Sequence, residues 1–182
     1  HLRRQIREGI AAIYLESMLF GSNLQEIVQN AVLLNVPAWY KEGLIAFVGE
    51  TWNTELDNQL RNVLLSEKYK NFNEFAEAEA RLAGHAFWYF LHLHFDRSHV
   101  SRLLYLTRIN RSLESAFVYT FGSSLEKASE TWQNYFLGRY QAEEALMNAP
   151  TGTLLSIRNK RDLPITQLKI SPDGKQAVYV LN

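Results

Sequence analysis

Four closely spaced histidines, His85, His92, His94 and His99, are the residues whose type most directly suits metal or proton chemistry. A single metal ion needs ligands that converge on one centre. His85 and His92 share a helical face but sit two turns apart, about 10 Å, which is too far for one ion. His92 and His94 point to different sides of a helix, and His99 follows an expected break at Asp96-Arg97. These four are expected as structural or surface histidines. Glu42 with Glu50 or Glu55 has the composition of an acid/base pair, yet nothing separates it from ordinary helix charge. The chain has no cysteine, so disulfides and thiolate metal sites are excluded. It also lacks a Gly-x-Ser-x-Gly elbow and a phosphate-binding glycine loop.

The most informative segment is Pro37-Ala38-Trp39-Tyr40-Lys41-Glu42-Gly43-Leu44-Ile45-Ala46. Glu on a helix offers an oxygen ligand, and a neighbouring Gly lets a second helix approach closely. This segment resembles the third-ligand helix of gluzincin metallopeptidases, in which a Trp precedes a Glu-Gly pair and the Glu binds zinc. The resemblance implies an upstream His-Glu-x-x-His, two histidines on one helical face with a general-base Glu between them. The candidate in register is His1-Leu2-Arg3-Arg4-Gln5. Leu2 stands at the Glu position and cannot shuttle a proton. Gln5 stands at the second His position and is a poor zinc ligand. The resemblance therefore implies a degenerate zinc site at His1, Leu2, Gln5 and Glu42, with no catalytic residue, metal ligand set or cofactor. Trp39, Gly43 and His85 are the expected cleft residues.

The same resemblance extends over roughly residues 1–140. Ala83-Gly84-His85-Ala86-Phe87-Trp88-Tyr89-Phe90-Leu91, followed by residues 100–106, is similar to the post-ligand helix pair of bacterial peptidase-MA-type gluzincins. Residues 116–126, then Trp132 and Tyr135-Phe136, resemble their closing motif. Ile170-Ser171-Pro172-Asp173-Gly174-Lys175 with Val178-Tyr179-Val180 instead resembles a strand-turn-strand of the TolB-type β-propeller.

The elements that must carry these residues follow from periodicity. Leu2, Ile6, Ile10, Ile13 and Phe20 recur at helical spacing and predict a helix over 1–20. Further helices are expected over 23–34, from Pro37 through 38–48, and over 54–69, 74–81, 83–95, 99–109, 113–121 and 125–147. Proline suits a first helical turn. Gly122-Ser123-Ser124 should stop one helix and cap the next. The aromatics Phe87, Trp88, Tyr89, Phe90 and Phe95 are expected in the core, and Arg3, Arg4 and Arg7 on a solvated helix face. After Pro150 the pattern changes to short β-prone segments, 153–157, 165–170 and 177–181, with a turn at Ser171-Pro172-Asp173-Gly174. The expected fold is mainly α, a gluzincin-like C-terminal helical bundle with a short C-terminal β segment. The expected domains are a helical one over 1–149 and a β segment over 150–182 that starts a propeller.

Length and composition agree with one packed domain and a small extra piece: 182 residues, 47% hydrophobic. Lys+Arg and Asp+Glu both total 19, which gives no basic surface for nucleic acid or anionic lipid. No apolar run reaches the ~18 residues of a membrane span. Because the chain opens at His1 inside a periodic segment, it reads as a fragment of a longer protein. The expected function is a catalytically inactive, peptidase-like module that binds protein or peptide, within an exported protein of the bacterial periplasm or cell surface. The alternative is a fragment of an active zinc metallopeptidase whose His-Glu-x-x-His lies upstream. A third reading is a plain helical binding module, in which the first helix and the Glu42 helix need not be neighbours.

Overall fold

The computed structural model describes residues 2–147 and 165–181. They form two units that divide after Met147. Among the described residues, the first unit holds nine helices: α1 Leu2–Phe20, α2 Leu24–Leu33, α3 Ala38–Gly49, α4 Thr54–Leu65, α5 Phe72–Ala78, α6 Ala80–His94, α7 Arg97–Asn110, α8 Leu113–Phe121 and α9 Leu125–Ala145. The fold is thus mainly helical, with a short antiparallel pair of strands near the C-terminus. The expected segment 153–157 lies outside the described residues.

Local chemistry sets most helix ends. Asn23, Asn53, Asn71, Ser112 and Ser124 each accept a main-chain N–H of the first turn on a side-chain oxygen, which satisfies donors that have no helical partner. Gly122 ends α8 in the left-handed region at φ 69°, a conformation that costs glycine nothing. Pro37 precedes α3 with φ −58°.

The centre of the unit is a contact between α3 and α6. A Cβ added at Gly43 would fall within 3 Å of the Gly84 backbone, and one added at Gly84 would fall equally close to the Trp39 carbonyl and Gly43 Cα. The two backbones therefore touch, as anticipated for a Gly beside Glu42. Trp88 Nε1 donates to the Tyr40 carbonyl at 3.0 Å across the same contact. Tyr40 OH meets Thr107 Oγ1 at 3.3 Å, linking α3 to α7. Around this seam Trp39, Phe72, Phe87 and Trp132 pack edge-on or tilted, with centroids 5.0–6.4 Å apart, an arrangement that aromatic quadrupoles favour. Phe87, Trp88 and Phe90 are buried, while Tyr89 and Phe95 are half-buried against the core.

Helix α1 packs on α3 through Gly49, where a Cβ would collide with the Glu8 side chain. Its inward residues are Leu15 and Leu19, with Arg4, Glu8, Ala11 and Ala12 half-buried. The apolar series Leu2, Ile6, Ile10 and Ile13 is exposed, Ile13 by 72%. Arg4 departs from the expected solvated face. It bonds Glu8 at 3.0 Å and Glu50 at 2.7 Å, because α3 brings Glu50 beside it. The expected helix over 74–81 is interrupted at Glu79, whose φ −134° and ψ 56° separate α5 from α6. The Glu79 carboxylate is held there by Lys68 Nζ at 2.7 Å and Tyr69 OH at 2.8 Å. The expected helix over 54–69 stops at Leu65.

In the second unit, β1 Ile165–Ile170 pairs antiparallel with β2 Ala177–Leu181. The register shifts between Thr166 and Lys169, where Gln167 has φ 57°. At the turn, Ser171 N and Gln176 O close the loop at 2.8 Å, and Gly174 takes φ 69°. Asp173 accepts from Ser171 Oγ and from Lys175 N.

The helix seam gives a paired prediction. Gly84→Ala forces α3 and α6 apart and should destabilise the domain by about 1–3 kcal/mol. Gly138→Ala, at an exposed α9 position with open space for a Cβ, should stabilise it by about 0.5–1 kcal/mol. Urea unfolding of both variants measures the contrast, and equal effects would contradict the seam.

Candidate functional site

The α3–α6 contact fixes the floor from which the candidate site rises. A cavity of about 600 Å³ opens beside it, within the size of small-ligand and peptide-side-chain pockets. Arg4 of α1, Glu42 of α3, Glu50, Glu55 of α4, Glu77 of α5, Glu79, and Arg81 and His85 of α6 supply its charged and titratable lining. The break at Glu79 is what aims the ends of α5 and α6 at one space.

Ion pairs order one rim. Arg4 bridges Glu8 and Glu50, and Arg81 Nη2 reaches Glu8 at 2.6 Å, so α1, the end of α3 and the start of α6 are tied together. Glu79 is engaged by Lys68 and Tyr69, and that hydrogen bond from Lys68 holds its carboxyl below the ordinary value. On α4, Asp57 accepts from Trp52 Nε1 at 3.0 Å, from Tyr140 OH at 3.0 Å and from Arg139. Burial alone would raise the Asp57 carboxyl. The hydrogen bonds from Trp52 and Arg139 outweigh it and hold the group below the usual range. Trp52, so fixed, stacks on Tyr89 at 5.0 Å and meets the His85 ring edge-on at 5.2 Å.

His85 is 2% exposed, and its Nε2 has no hydrogen-bond partner among the described residues. Phe47 closes on the ring from another side. Burial is the chief influence and pushes its pKa down to about 4, with the nearby Glu50 carboxylate opposing the shift. At neutral pH the ring is therefore uncharged.

The residues singled out from sequence fall in different places. Glu42 is exposed and lines the cavity, and His85 lines it from beneath. Gly43 lies in the helix seam, and Trp39 is buried in the aromatic core. Leu2 and Gln5 are exposed on α1, where the cavity-lining α1 residue is Arg4. His1 lies outside the described residues. Among those described, no three His, Asp or Glu side chains converge well enough to hold a metal ion. A catalytic zinc takes three protein ligands, and the described residues do not supply such a set. His92 and His94 are on α6, and His99 lies past its end on α7. Glu50 and Glu55, named from sequence only as possible acid/base partners of Glu42, line the cavity with it, and Arg4, Glu77, Glu79 and Arg81 were not foreseen there. The Glu77-x-Glu79-x-Arg81 alternation was the available signal, but it is visible only once the helix break is known.

The burial of neutral His85 makes stability depend on pH. The unfolded ring titrates near its ordinary 6.5 and the folded ring at about 4, so between these values the unfolded chain binds a proton that the folded chain refuses. Stability contributed by this group is full above pH 6.5 and is lost as pH falls towards 4, by roughly 3 kcal/mol in total. Denaturant titrations across that window should show a shallower pH slope in His85→Phe than in the wild type, with undiminished stability at pH 7. Parallel slopes would show that His85 is not the titrating group.

Comparison of the chain with family models, with curated proteins and with solved structures gives no match in any of the three.

Proposed function

We propose that the helical domain is a non-catalytic, gluzincin-like module that binds protein or peptide in the cavity beside Glu42, as part of an exported bacterial protein. The observation that carries this reading is the packing of α1 directly on the Glu42 helix, α3, through Gly49 and Glu8, with an open cavity at their shared edge. Neighbouring placement of those two helices is what the gluzincin resemblance requires and what a plain helical module does not. In the register that the resemblance gives, Leu2 and Gln5 stand where a peptidase needs a general base and a second imidazole, and the α1 residue on the cavity wall is Arg4. A cleft shaped for polypeptide but lacking that chemistry retains binding alone. Fold by itself does not assign function, so the reading rests on these positions. The hairpin of β1 and β2, closed by Ser171-Pro172-Asp173-Gly174, supports continuation into a TolB-type propeller, since a lone two-stranded hairpin is barely stable in water. Export to the periplasm or cell surface follows from that pairing of domains by resemblance.

One observation favours the second reading, an active zinc metallopeptidase completed by an upstream motif. Glu42 is exposed on the cavity wall and engages in no ion pair or side-chain hydrogen bond among the described residues, so it is free to serve as a ligand.

Casein, an unfolded polypeptide, separates the two readings. Added to isotope-labelled full chain with zinc present, it should shift the amide resonances of residues around the cavity, those near Glu42, Glu77 and His85 above all, and should remain intact. Zinc-dependent cleavage would transfer the assignment to the peptidase, and resonance shifts confined to other surfaces would remove the cavity from the account.

A further inference from the structure

Helix α1 has a second face that the helical unit leaves uncovered. Leu15 and Leu19 turn inward, while Leu2, Ile6, Ile10, Ile13 and Tyr14, on the other side of the helix, are 52–72% exposed. Towards its C-terminal end this face borders an open groove of about 500 Å³, formed with α2 and lined by Ile13, Ser17, Phe20 and Ile27. On α2, Leu24 lies one turn before Ile27 and is 78% exposed. With Leu24 and Ile27 the patch exposes on the order of 800 Å² of largely apolar side chain, against about 300–600 Å² for the largest patch of an ordinary monomer. It is also close to the ~800 Å² that each partner contributes to a standard stable interface.

Shape decides what can occupy the patch. Its N-terminal half projects, with Leu2 and Ile6 standing out from the helix, and its C-terminal half receives, with the groove open. Ile6 and Ser17 are about 16 Å apart along α1, and Ile10 and Ile13 lie midway between them on the same stripe. A second α1 laid antiparallel across this face, about a two-fold axis between Ile10 and Ile13, sets its Ile6 opposite Ser17 and its Leu2 at the Phe20 end of the groove. The same contacts are made in return. A surface that holds both the projection and its receptacle is what an isologous contact requires. A parallel pair would lay the projecting half on itself and leave the groove open. Antiparallel pairing also sets each flank of the helix against its own kind. Gln5 then meets Glu16 of the other copy, and Arg7 meets the ring of the other Tyr14, a cation over an aromatic face. These four side chains are exposed and have no partner of their own among the described residues.

We propose that the chain pairs with a second copy of itself through α1, two-fold and antiparallel, with Leu2 and Ile6 of each copy seated in the α1–α2 groove of the other. Arg4, on the opposite side of α1, lines the cavity beside Glu42, so the pairing face and that cavity are separate. The inference therefore does not depend on what the cavity binds.

Sedimentation equilibrium of the full chain from about 1 to 100 μM tests this, a range that reaches the weaker interfaces of this size. A reversible monomer–dimer equilibrium is expected. Ile6→Glu combined with Ile13→Glu should weaken it by about 100-fold or more, since the contact would then bury unpaired carboxylates. Circular dichroism of that variant should show unchanged helix content, because both side chains stand outside the core. The chain has no cysteine, so introduced thiols report the geometry. Ile6→Cys mixed with Ser17→Cys should cross-link under mild oxidation and neither variant alone should, because a disulfide spans at most about 7 Å between Cα atoms. A monomer at every concentration would overturn the proposal. So would a dimer unaffected by the two glutamates, or cross-linking of Ile6→Cys with itself, which means parallel pairing. A chain that stays monomeric and co-sediments with vesicles of anionic phospholipid would overturn it in favour of a lipid surface.

Discussion

The approach of α3 to α6 at Gly43 and Gly84 governs the rest of the helical unit. Each glycine within a helix costs about 1 kcal/mol relative to alanine, and here both are offset by backbone contact that no side chain would allow. With the backbones touching, Trp88 can reach over to the Tyr40 carbonyl. Trp39 can then sink beneath α6 to meet Phe72 and Phe87. Tyr40 turns the other way and meets Thr107 of α7. Its burial pushes the phenol's ionisation well above the ordinary range, so it stays a neutral hydroxyl. Glu42 and His85 are the sequence neighbours of the two seam glycines, and the seam therefore places them together at the cavity.

Electrostatics then distinguish the two sides of that cavity. On one, Arg4, Glu8, Glu50 and Arg81 satisfy one another and tie three parts of the chain. Such half-exposed pairs add little stability individually, and their use is to set geometry. On the other, Glu42, Glu55 and Glu77 have no ion-pair partner among the described residues. A fully balanced surface would have matched the chain's zero net charge locally as well as globally. The imbalance is local to the cavity beside Glu42, and His85, buried and uncharged at neutral pH, lies in the same wall. Asp57 binds Trp52, Arg139 and Tyr140 at once and so fixes the Trp52 ring that meets His85.

Much of the architecture was legible because local signals and packing agree. Pro37, Gly122 and Ser124 marked helix ends that the structure respects, and the Ser-Pro-Asp-Gly turn marked the hairpin. The close approach at Gly43 was readable from a Gly beside a helical Glu. The illegible parts are those set by distant partners. Nothing in the Ala/Glu-rich run around Glu79 signals a break, since no Gly or Pro stands there; Lys68 and Tyr69 capture the side chain from another segment. Helix α1 carried the right period but a misleading face. Leu2, Ile6, Ile10 and Ile13 are exposed, while small and charged residues face α3, because Gly49 admits Glu8 and Glu50 needs Arg4. His85 read as an ordinary satisfied histidine, and its missing partner is a tertiary fact. The cavity's carboxylates come from three helices, so no spacing rule could have gathered them.

A cleft that binds without metal chemistry takes up no zinc, and calorimetric titration of the full chain with zinc tests this most directly: no saturable one-site heat is expected, and the same flat trace from Glu42→Ala. Tight stoichiometric binding that disappears in Glu42→Ala would contradict it and make Glu42 a working zinc ligand.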